Sequence, residues 1–235
     1  CTFRKKVIEI SKELWGENKK IDMANMLMAV FAWESGETFA VDVPNMQNSG
    51  GTGLIQIMPS TYQHLTGKKP TLISTKKYFG KSLNVIKELA GLTQVQYLDL
   101  VKKYFLPLKG KNVEFVDFYL QVLFPASSGK GQHTVFAKEE KLLDVSDHKK
   151  ERVEKFNRNN MDGFYLDKDG ELKKDGVKDG KVMKSEIAAA IEHYRTDGLK
   201  YKSDYKSGCS IKPENKTTMD HSCISGQIKN GFIID

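Results

Sequence analysis

The sequence predicts a mainly α fold: a helical domain followed by a small acidic loop-and-helix element. Apolar residues recur with helical spacing through residues 1–155. Glycine and aspartate then concentrate over 157–186, and the helical pattern KSEIAAAIEHYR closes this region. The last residues, 201–235, are polar and irregular. The predicted organisation is therefore a helical domain over 1–155, an acidic loop and helix over 156–200 packed on it, and a C-terminal tail over 201–235.

The first two helices differ in how their apolar residues are distributed. Residues 3–15 carry apolar side chains at helical spacing, which predicts an amphipathic helix rather than a signal peptide. Asp22 can cap a second helix over 23–34 that is apolar nearly all round. Such a helix is buried in the centre of a domain, and Glu34 is its final residue.

Loop and capping residues mark the boundaries of the segments that follow. Residues 35–53 form a loop rich in glycine, asparagine and serine, and Pro59 suits the first turn of a helix. Further helices are predicted over 74–90, over 93–105 with Thr93 as cap, and over 112–124, where Pro125 ends the last one. The sequence ASSGKGQHTVF that follows is predicted to be a loop.

The composition excludes some classes of function and leaves others open. The net charge of +7 suits a polyanion such as nucleic acid, anionic lipid or an acidic bacterial wall. The lysines are scattered, and no arginine-rich reading helix or aromatic RNA-binding signature is present, so no nucleic-acid site is predicted. No apolar run is long enough to span a bilayer. The five histidines and three cysteines have no zinc-ligand spacing, and Cys209 and Cys223 could close a loop in the tail.

Glu34 is unusually placed for a charged residue. Burial at the end of an apolar helix raises the pKa of a carboxyl, which keeps a proton on it near neutral pH. A general acid for glycosidic cleavage needs this property. The alternative is a capped or salt-bridged glutamate with a structural role.

Glu34 belongs to the first of two motifs that follow each other in the sequence. Glu34-Ser35 is followed by a loop and then by SGGTGLIQIMPSTY at 49–62. The pattern resembles the soluble lytic transglycosylase and goose-type lysozyme superfamily, in which Glu-Ser precedes Gly-Leu-Met-Gln-Ile with Pro and Thr just after. Ile55 stands where methionine is usual, and the resemblance covers residues 21–66.

The resemblance implies a lysozyme-like fold for residues 1–155 and cleavage of the MurNAc–GlcNAc β-1,4 bond of peptidoglycan. It implies Glu34 as the general acid/base, with Ser35, Ser49 and Gln56 binding the glycan. No cofactor is then required for catalysis. A second carboxylate, needed for two-carboxylate hydrolysis, is not evident: Glu37 and Asp42 are candidates to position water or are ordinary loop residues. Hydrolysis and lytic transglycosylation both stay open.

The usual third motif of the superfamily, Ala-Tyr-Asn before Gly, is replaced by VDFYLQVLFPASSGKG at 116–131. This sequence resembles a variant found in wall-degrading domains of phage tails and type VI secretion machinery. Tyr119 is then the candidate substrate-binding residue opposite Glu34, or alternatively a core aromatic. The variant is compatible with an antibacterial effector, and remodelling of the cell's own wall stays open. The enzyme is expected to be monomeric and secreted or delivered to the bacterial periplasm or cell wall. Its implied partners are peptidoglycan strands and an immunity protein.

The segment 175–186 fits an EF-hand calcium loop in part. Asp175, Asp179 and Glu186 fall at loop positions that supply ligands, whereas Val177 offers no side-chain oxygen at the third position. Any calcium here would be structural, because the sugar chemistry needs no metal. The alternative is a degenerate loop that folds without metal, and an alternative function for the whole chain is a non-catalytic module that binds glycan or a partner.

Overall fold

The computed structural model describes residues 2–159, 161, 165–166, 172–173 and 179–199, with only the backbone described at 165–166, 172–173 and 197–199. Helix accounts for 55% and strand for 10% of this part of the chain, so the prediction of a mainly α protein is confirmed. The tail over 201–235, with Cys209 and Cys223, lies outside the described residues, as does Cys1.

The described chain forms two compact units. The first runs to Gly110 and the second covers Lys111–Thr196. The boundary between the two units, after Gly110, lies inside the predicted 1–155 domain. The boundary that the sequence predicts after residue 155, between the helical domain and the acidic loop and helix, stays a prediction.

The first unit is built mainly of helices with one small β-hairpin. Its elements are α1 (Thr2–Trp15), α2 (Lys20–Glu34), α3 (Pro59–Thr66), β1 (Leu72–Thr75), β2 (Leu83–Ile86), α4 (Lys87–Ala90) and α5 (Gln94–Phe105). Short 3-10 turns at Glu17–Lys19 and Leu106–Leu108 follow α1 and α5.

Helix α2 forms the centre of the first unit, as its apolar sequence predicts. Its residues from Leu27 to Ala32 are all at most 1% exposed. Helix α1 packs against both α2 and α5 through its apolar face, including Val7 and Ile10. Because α2 is enclosed, its last residue, Glu34, is carried to the edge of a well-packed core.

The predicted helix over 74–90 is wrong, since most of this segment is an antiparallel hairpin. Strands β1 and β2 pair from Leu72 with Ile86 to Thr75 with Leu83, and only Lys87–Ala90 is helical. Phe79 and Gly80 have positive φ angles of 59° and 64°, which reverse the chain at the tip. The flanking segments are rich in β-branched residues, which favour strands over helices.

The neighbouring helices agree with the sequence. Helix α5 begins after Thr93, whose hydroxyl and the Gln96 side chain form a reciprocal capping box. Helix α3 starts at Pro59 and stops at Gly67, which adopts the left-handed conformation with φ of 70°.

The second unit combines helices with short strands. Its elements are α6 (Phe115–Leu123), β3 (Thr134–Ala137), α7 (Lys149–Asn159), β4 (Tyr165–Leu166), β5 (Leu172–Lys173), β6 (Lys181–Met183) and α8 (Lys184–Leu199). Strand β3 pairs antiparallel with β6, and β4 pairs antiparallel with β5. The end of ASSGKGQHTVF is therefore a strand, where the sequence predicts a loop. No helix in the described residues is both long and apolar enough to cross a membrane.

Candidate active site

Glu34 is the last residue of α2 and is partly exposed, as is Trp33, whereas the residues from Leu27 to Ala32 are buried. Burial raises the pKa of its carboxyl from 4.5 to about 7. No hydrogen bond or charged neighbour from the described residues offsets this burial. The carboxyl is therefore poised to hold a proton near neutral pH while keeping access to the surface.

The chain leaves α2 through a sharp turn that Ser35 holds in place. The Ser35 hydroxyl donates to the Phe31 carbonyl at 2.6 Å and accepts from the Phe39 backbone amide at 3.0 Å. Gly36, Glu37 and Phe39 all have positive φ angles in this turn. Ser35 is only 1% exposed, so the geometry supports a role in positioning Glu34, and glycan binding by this hydroxyl stays a prediction.

The second motif folds as a tight turn closed by Thr52 and Ile57. Their backbone groups exchange hydrogen bonds at 3.2 and 3.1 Å, and the Gly53 amide donates to the Val43 carbonyl at 2.9 Å. Gly53 has a φ of 83°, and a Cβ there would lie 2.6 Å from both the Tyr97 ring and the Val41 carbonyl. Only glycine fits at this position.

Gln56 is half-buried in this turn, with a φ of 50°. Its side-chain amide nitrogen donates to the Gly53 carbonyl at 3.1 Å and to the Val43 carbonyl at 3.3 Å. Its side-chain oxygen is buried and has no hydrogen-bond partner in the described structure. A Cβ at Gly51 would lie 3.3 Å from this oxygen, so glycine at that position leaves space beside the unpaired acceptor.

Ser49 lies at the start of the motif and is exposed. Its hydroxyl lies 3.7 Å from the Met58 sulfur. The hydroxyl is therefore accessible to a ligand, and glycan binding here stays a prediction.

Tyr97 of α5 contacts the second motif, and both Tyr97 and Tyr104 of α5 lie within the electrostatic reach of Glu34. Sequence reasoning finds neither. The Tyr97 hydroxyl donates to the Thr52 carbonyl at 2.6 Å. Burial raises the pKa of Tyr97 and of Tyr104 above the ordinary tyrosine value, and the charge of Glu34 raises both further. The two residues lie about two turns apart on one face of α5. This helical spacing of the two tyrosines is the feature of the sequence that could have pointed to them.

The acidic residues between the two motifs differ in environment. Asp42 accepts hydrogen bonds from the Tyr78 hydroxyl at 2.6 Å and from the Lys77 ammonium at 2.7 Å. Glu37 is exposed. Asp42 is thus held by two donors, and neither residue is established as a second catalytic carboxylate.

Tyr119 lies on α6 in the second unit and is 7% exposed. The loop after α6 is fixed by Asp117, whose carboxylate accepts from the Gly129 amide at 2.8 Å and pairs with the buried Lys184 ammonium at 2.7 Å. The burial of Tyr119 fits the core-aromatic alternative, and a position opposite Glu34 stays a prediction.

The calcium-loop segment is described only in its second half, because Asp175 lies outside the described residues. Asp179 accepts from the Lys181 amide at 2.9 Å, and Glu186 accepts from the Met183 amide at 2.6 Å at the start of α8. Gly180 has a φ of 75°, which suits the sharp turn at the sixth position of such a loop. Among the described side chains no group of three acidic, histidine or cysteine ligands is assembled.

Comparison with known proteins gave no significant match to a family model, to a curated protein or to a solved structure.

Proposed function

We propose that this protein is a muramidase that cleaves the MurNAc–GlcNAc β-1,4 bond of peptidoglycan, with Glu34 as general acid/base in a lysozyme-like helical domain. One observation carries the proposal: burial raises the pKa of Glu34 to about 7 at the exit of a core helix. A carboxyl of this kind donates a proton to a leaving glycosidic oxygen at neutral pH.

The order of events follows from the protonation state. Protonated Glu34 gives its proton to the bridging oxygen as the bond to the anomeric carbon breaks. The resulting carboxylate then accepts a proton from the attacking hydroxyl. If water attacks, the product has a reducing end; if the muramyl 6-hydroxyl attacks, the product is a 1,6-anhydro sugar.

The second motif provides candidate contacts to the glycan. The side-chain oxygen of Gln56 is a buried acceptor without a partner in the described residues, and the N–H of an acetamido group is a suitable donor to it. Ser49 adds an exposed hydroxyl nearby in sequence. The glycine backbone allows the polysaccharide to approach closely.

The proposal extends to setting and partners. The enzyme acts on peptidoglycan strands after secretion or delivery to the periplasm or cell wall, as an antibacterial effector countered by an immunity protein. Calcium, if bound by Asp175, Asp179 and Glu186, would stabilise the acidic loop and take no part in the sugar chemistry. Asp179 and Glu186 fit this donor set as carboxylates, although both accept backbone hydrogen bonds in the structure.

The decisive comparison uses two glutamates of one turn. Glu34→Gln preserves shape and removes the proton donor, whereas Glu37→Gln alters an exposed side chain three residues away. We expect Glu34→Gln to lower the release of soluble fragments from purified walls by about 100-fold or more, and Glu37→Gln to stay near the native rate. Retained activity in Glu34→Gln would contradict the assignment, whereas equal loss in both variants would make Glu37 the second carboxylate. Wall binding without any fragment release by the native protein would favour a binding module.

A further inference from the structure

The hairpin β1–β2 and its surroundings carry an unusual distribution of charge. From residue 43 to residue 87 the sequence holds six lysines and no aspartate or glutamate. All six are exposed: Lys68, Lys69, Lys76, Lys77, Lys81 and Lys87. Lys77 pairs with Asp42, whereas Lys68, Lys69, Lys76 and Lys81 form no ion pair with any described residue. The hairpin is therefore a local source of positive potential.

The same segment concentrates exposed apolar side chains. Of the six large hydrophobic residues exposed in the described structure, five lie between 43 and 87: Met46, Met58, Leu72, Ile73 and Phe79. The sixth is Leu106. Leu72 and Ile73 are neighbours on β1 and point to opposite sides of the strand, yet they are 47% and 40% exposed. Strand β1 is therefore mostly exposed, while β2 is mostly buried.

The tip of the hairpin presents an aromatic ring under backbone strain. Phe79 is 55% exposed and has a φ of 59°, a conformation that a bulky residue rarely adopts. Its neighbour Gly80 tolerates the same conformation without cost. The Phe79 ring meets the aromatic ring of Tyr78, at 6.1 Å between ring centroids, and otherwise projects from the tip. Backbone strain of this kind concentrates at functional sites.

The hairpin is firmly tied to the loop that carries the second motif. Besides the Asp42 contacts, the Asn84 amide donates to the Asn48 side chain at 2.7 Å and the Ile86 amide donates to the Thr52 hydroxyl at 2.9 Å. Leu72 also reaches the motif, since a Cβ at Gly50 would lie 3.3 Å from its side chain. A surface docked on this hairpin is thus held beside the motif loop.

We propose that the β1–β2 hairpin docks on a membrane surface rich in anionic phospholipid, with Phe79 at its tip entering the headgroup region and the lysines beside the tip, Lys76 and Lys81, facing the phosphates. A combination of exposed apolar side chains and unpaired lysines is typical of peripheral membrane binding. A soluble polyanion is held by charge alone and gives no role to the exposed apolar residues. This inference goes beyond the proposed function and does not depend on Glu34.

The test is co-sedimentation of the full chain with vesicles of phosphatidylcholine alone or mixed equally with phosphatidylglycerol, at low and high salt. Native protein and Glu34→Gln should both bind the anionic vesicles, and high salt should weaken the binding. Phe79→Ser should weaken it about tenfold, from the lost burial of an aromatic ring. Lys76→Gln with Lys81→Gln should weaken it about thirtyfold, the effect of two lysines near an anionic surface.

Matched variants on the same unit provide the control. Leu106→Ser changes an equally exposed apolar residue, and Lys103→Gln with Lys109→Gln changes two exposed lysines, all outside the hairpin. These should bind like native protein. No binding to anionic vesicles, or binding that Phe79→Ser leaves unchanged, would overturn the proposal. Tighter binding to inorganic polyphosphate than to vesicles, insensitive to Phe79, would overturn it in favour of a soluble polyanion.

Discussion

The Tyr97 hydroxyl donates a 2.6 Å hydrogen bond to the carbonyl of Thr52, and the Tyr97 ring fills the space beside Gly53. Both Tyr97 and Thr52 are buried. This one side chain joins α5 to the turn of the second motif, and it also lies within the electrostatic reach of Glu34. Tyr97, which neither motif contains, therefore holds the turn of the second motif to α5 within the electrostatic reach of Glu34.

Tyr97→Phe should destabilise the protein by about 1–2 kcal/mol, because the buried Thr52 carbonyl loses its side-chain donor while the ring is kept. The looser turn should lower kcat for wall cleavage more than it changes KM. Tyr62→Phe is the control, since the Tyr62 hydroxyl makes no hydrogen bond within the described structure. Urea unfolding and initial rates check both, and equal stability of the Tyr97→Phe variant and native protein would argue against this role.

Gly53→Ala should destabilise the first unit by about 2–4 kcal/mol, because the new methyl collides with the Tyr97 ring and the Val41 carbonyl. The positive φ of residue 53, which alanine rarely adopts, adds to this cost. Gly67→Ala separates the two effects, since Gly67 has a φ of 70° but a methyl group added there would meet no atom within 4 Å. Thermal unfolding should show the larger loss for Gly53→Ala. Similar losses in both variants would show that the close contact contributes little.

The raised pKa of Glu34 makes stability depend on pH in a defined direction. The native carboxyl has a pKa of about 7 against an ordinary 4.5, so between these values the folded protein binds more protons than the unfolded chain. Stability therefore falls as pH rises through this window and levels off above it. Glu34→Gln removes this contribution.

We expect Glu34→Gln to be as stable as native protein near about pH 4 and more stable near about pH 8. Urea unfolding of both proteins across this range provides the measurement. Wall cleavage by native protein should also decline above about pH 7, as the donor loses its proton. A constant stability difference between the two proteins at all pH values would show that Glu34 titrates normally.

Calcium should raise the Tm of the native protein, with little change in cleavage rate at a temperature where both forms are folded. Asp179→Asn should abolish the increment in Tm, because it removes a ligand charge. Asp99→Asn, which alters an exposed carboxylate on α5, should keep the full increment. Calorimetry with and without chelator tests this. A Tm that calcium leaves unchanged would favour the degenerate loop.

Local signals in the sequence are sufficient for most of the helices. The apolar run ending at Glu34, the Thr93 cap and Pro59 each specify an element through short-range chemistry, and the structure has these helices. At the hairpin over 72–86 the local signals conflict. Its β-branched residues favour strands, but its apolar residues also match a helical period, and its turn depends on Phe79, a residue that rarely adopts positive φ.

The candidate site is predictable only in part. Glu34 stands out from its place at the end of a buried helix, and the structure adds the raised pKa. Ser35 is expected beside the acid, but its hydroxyl is taken up by the Phe31 carbonyl and the Phe39 amide. Tyr97 escapes prediction because a tyrosine in an amphipathic helix gives no local sign of a hydrogen bond 45 residues away.

Resolving the products of a wall digest by mass spectrometry tests the central claim most directly. Purified peptidoglycan is incubated with native protein, Glu34→Gln and Glu37→Gln, and the muropeptides are compared. We predict disaccharide muropeptides ending in muramic acid, reducing or 1,6-anhydro, from native protein and Glu37→Gln, and none above background from Glu34→Gln. Muropeptides released equally by Glu34→Gln, or no glycan cleavage by native protein, would contradict Glu34 as the general acid of a muramidase.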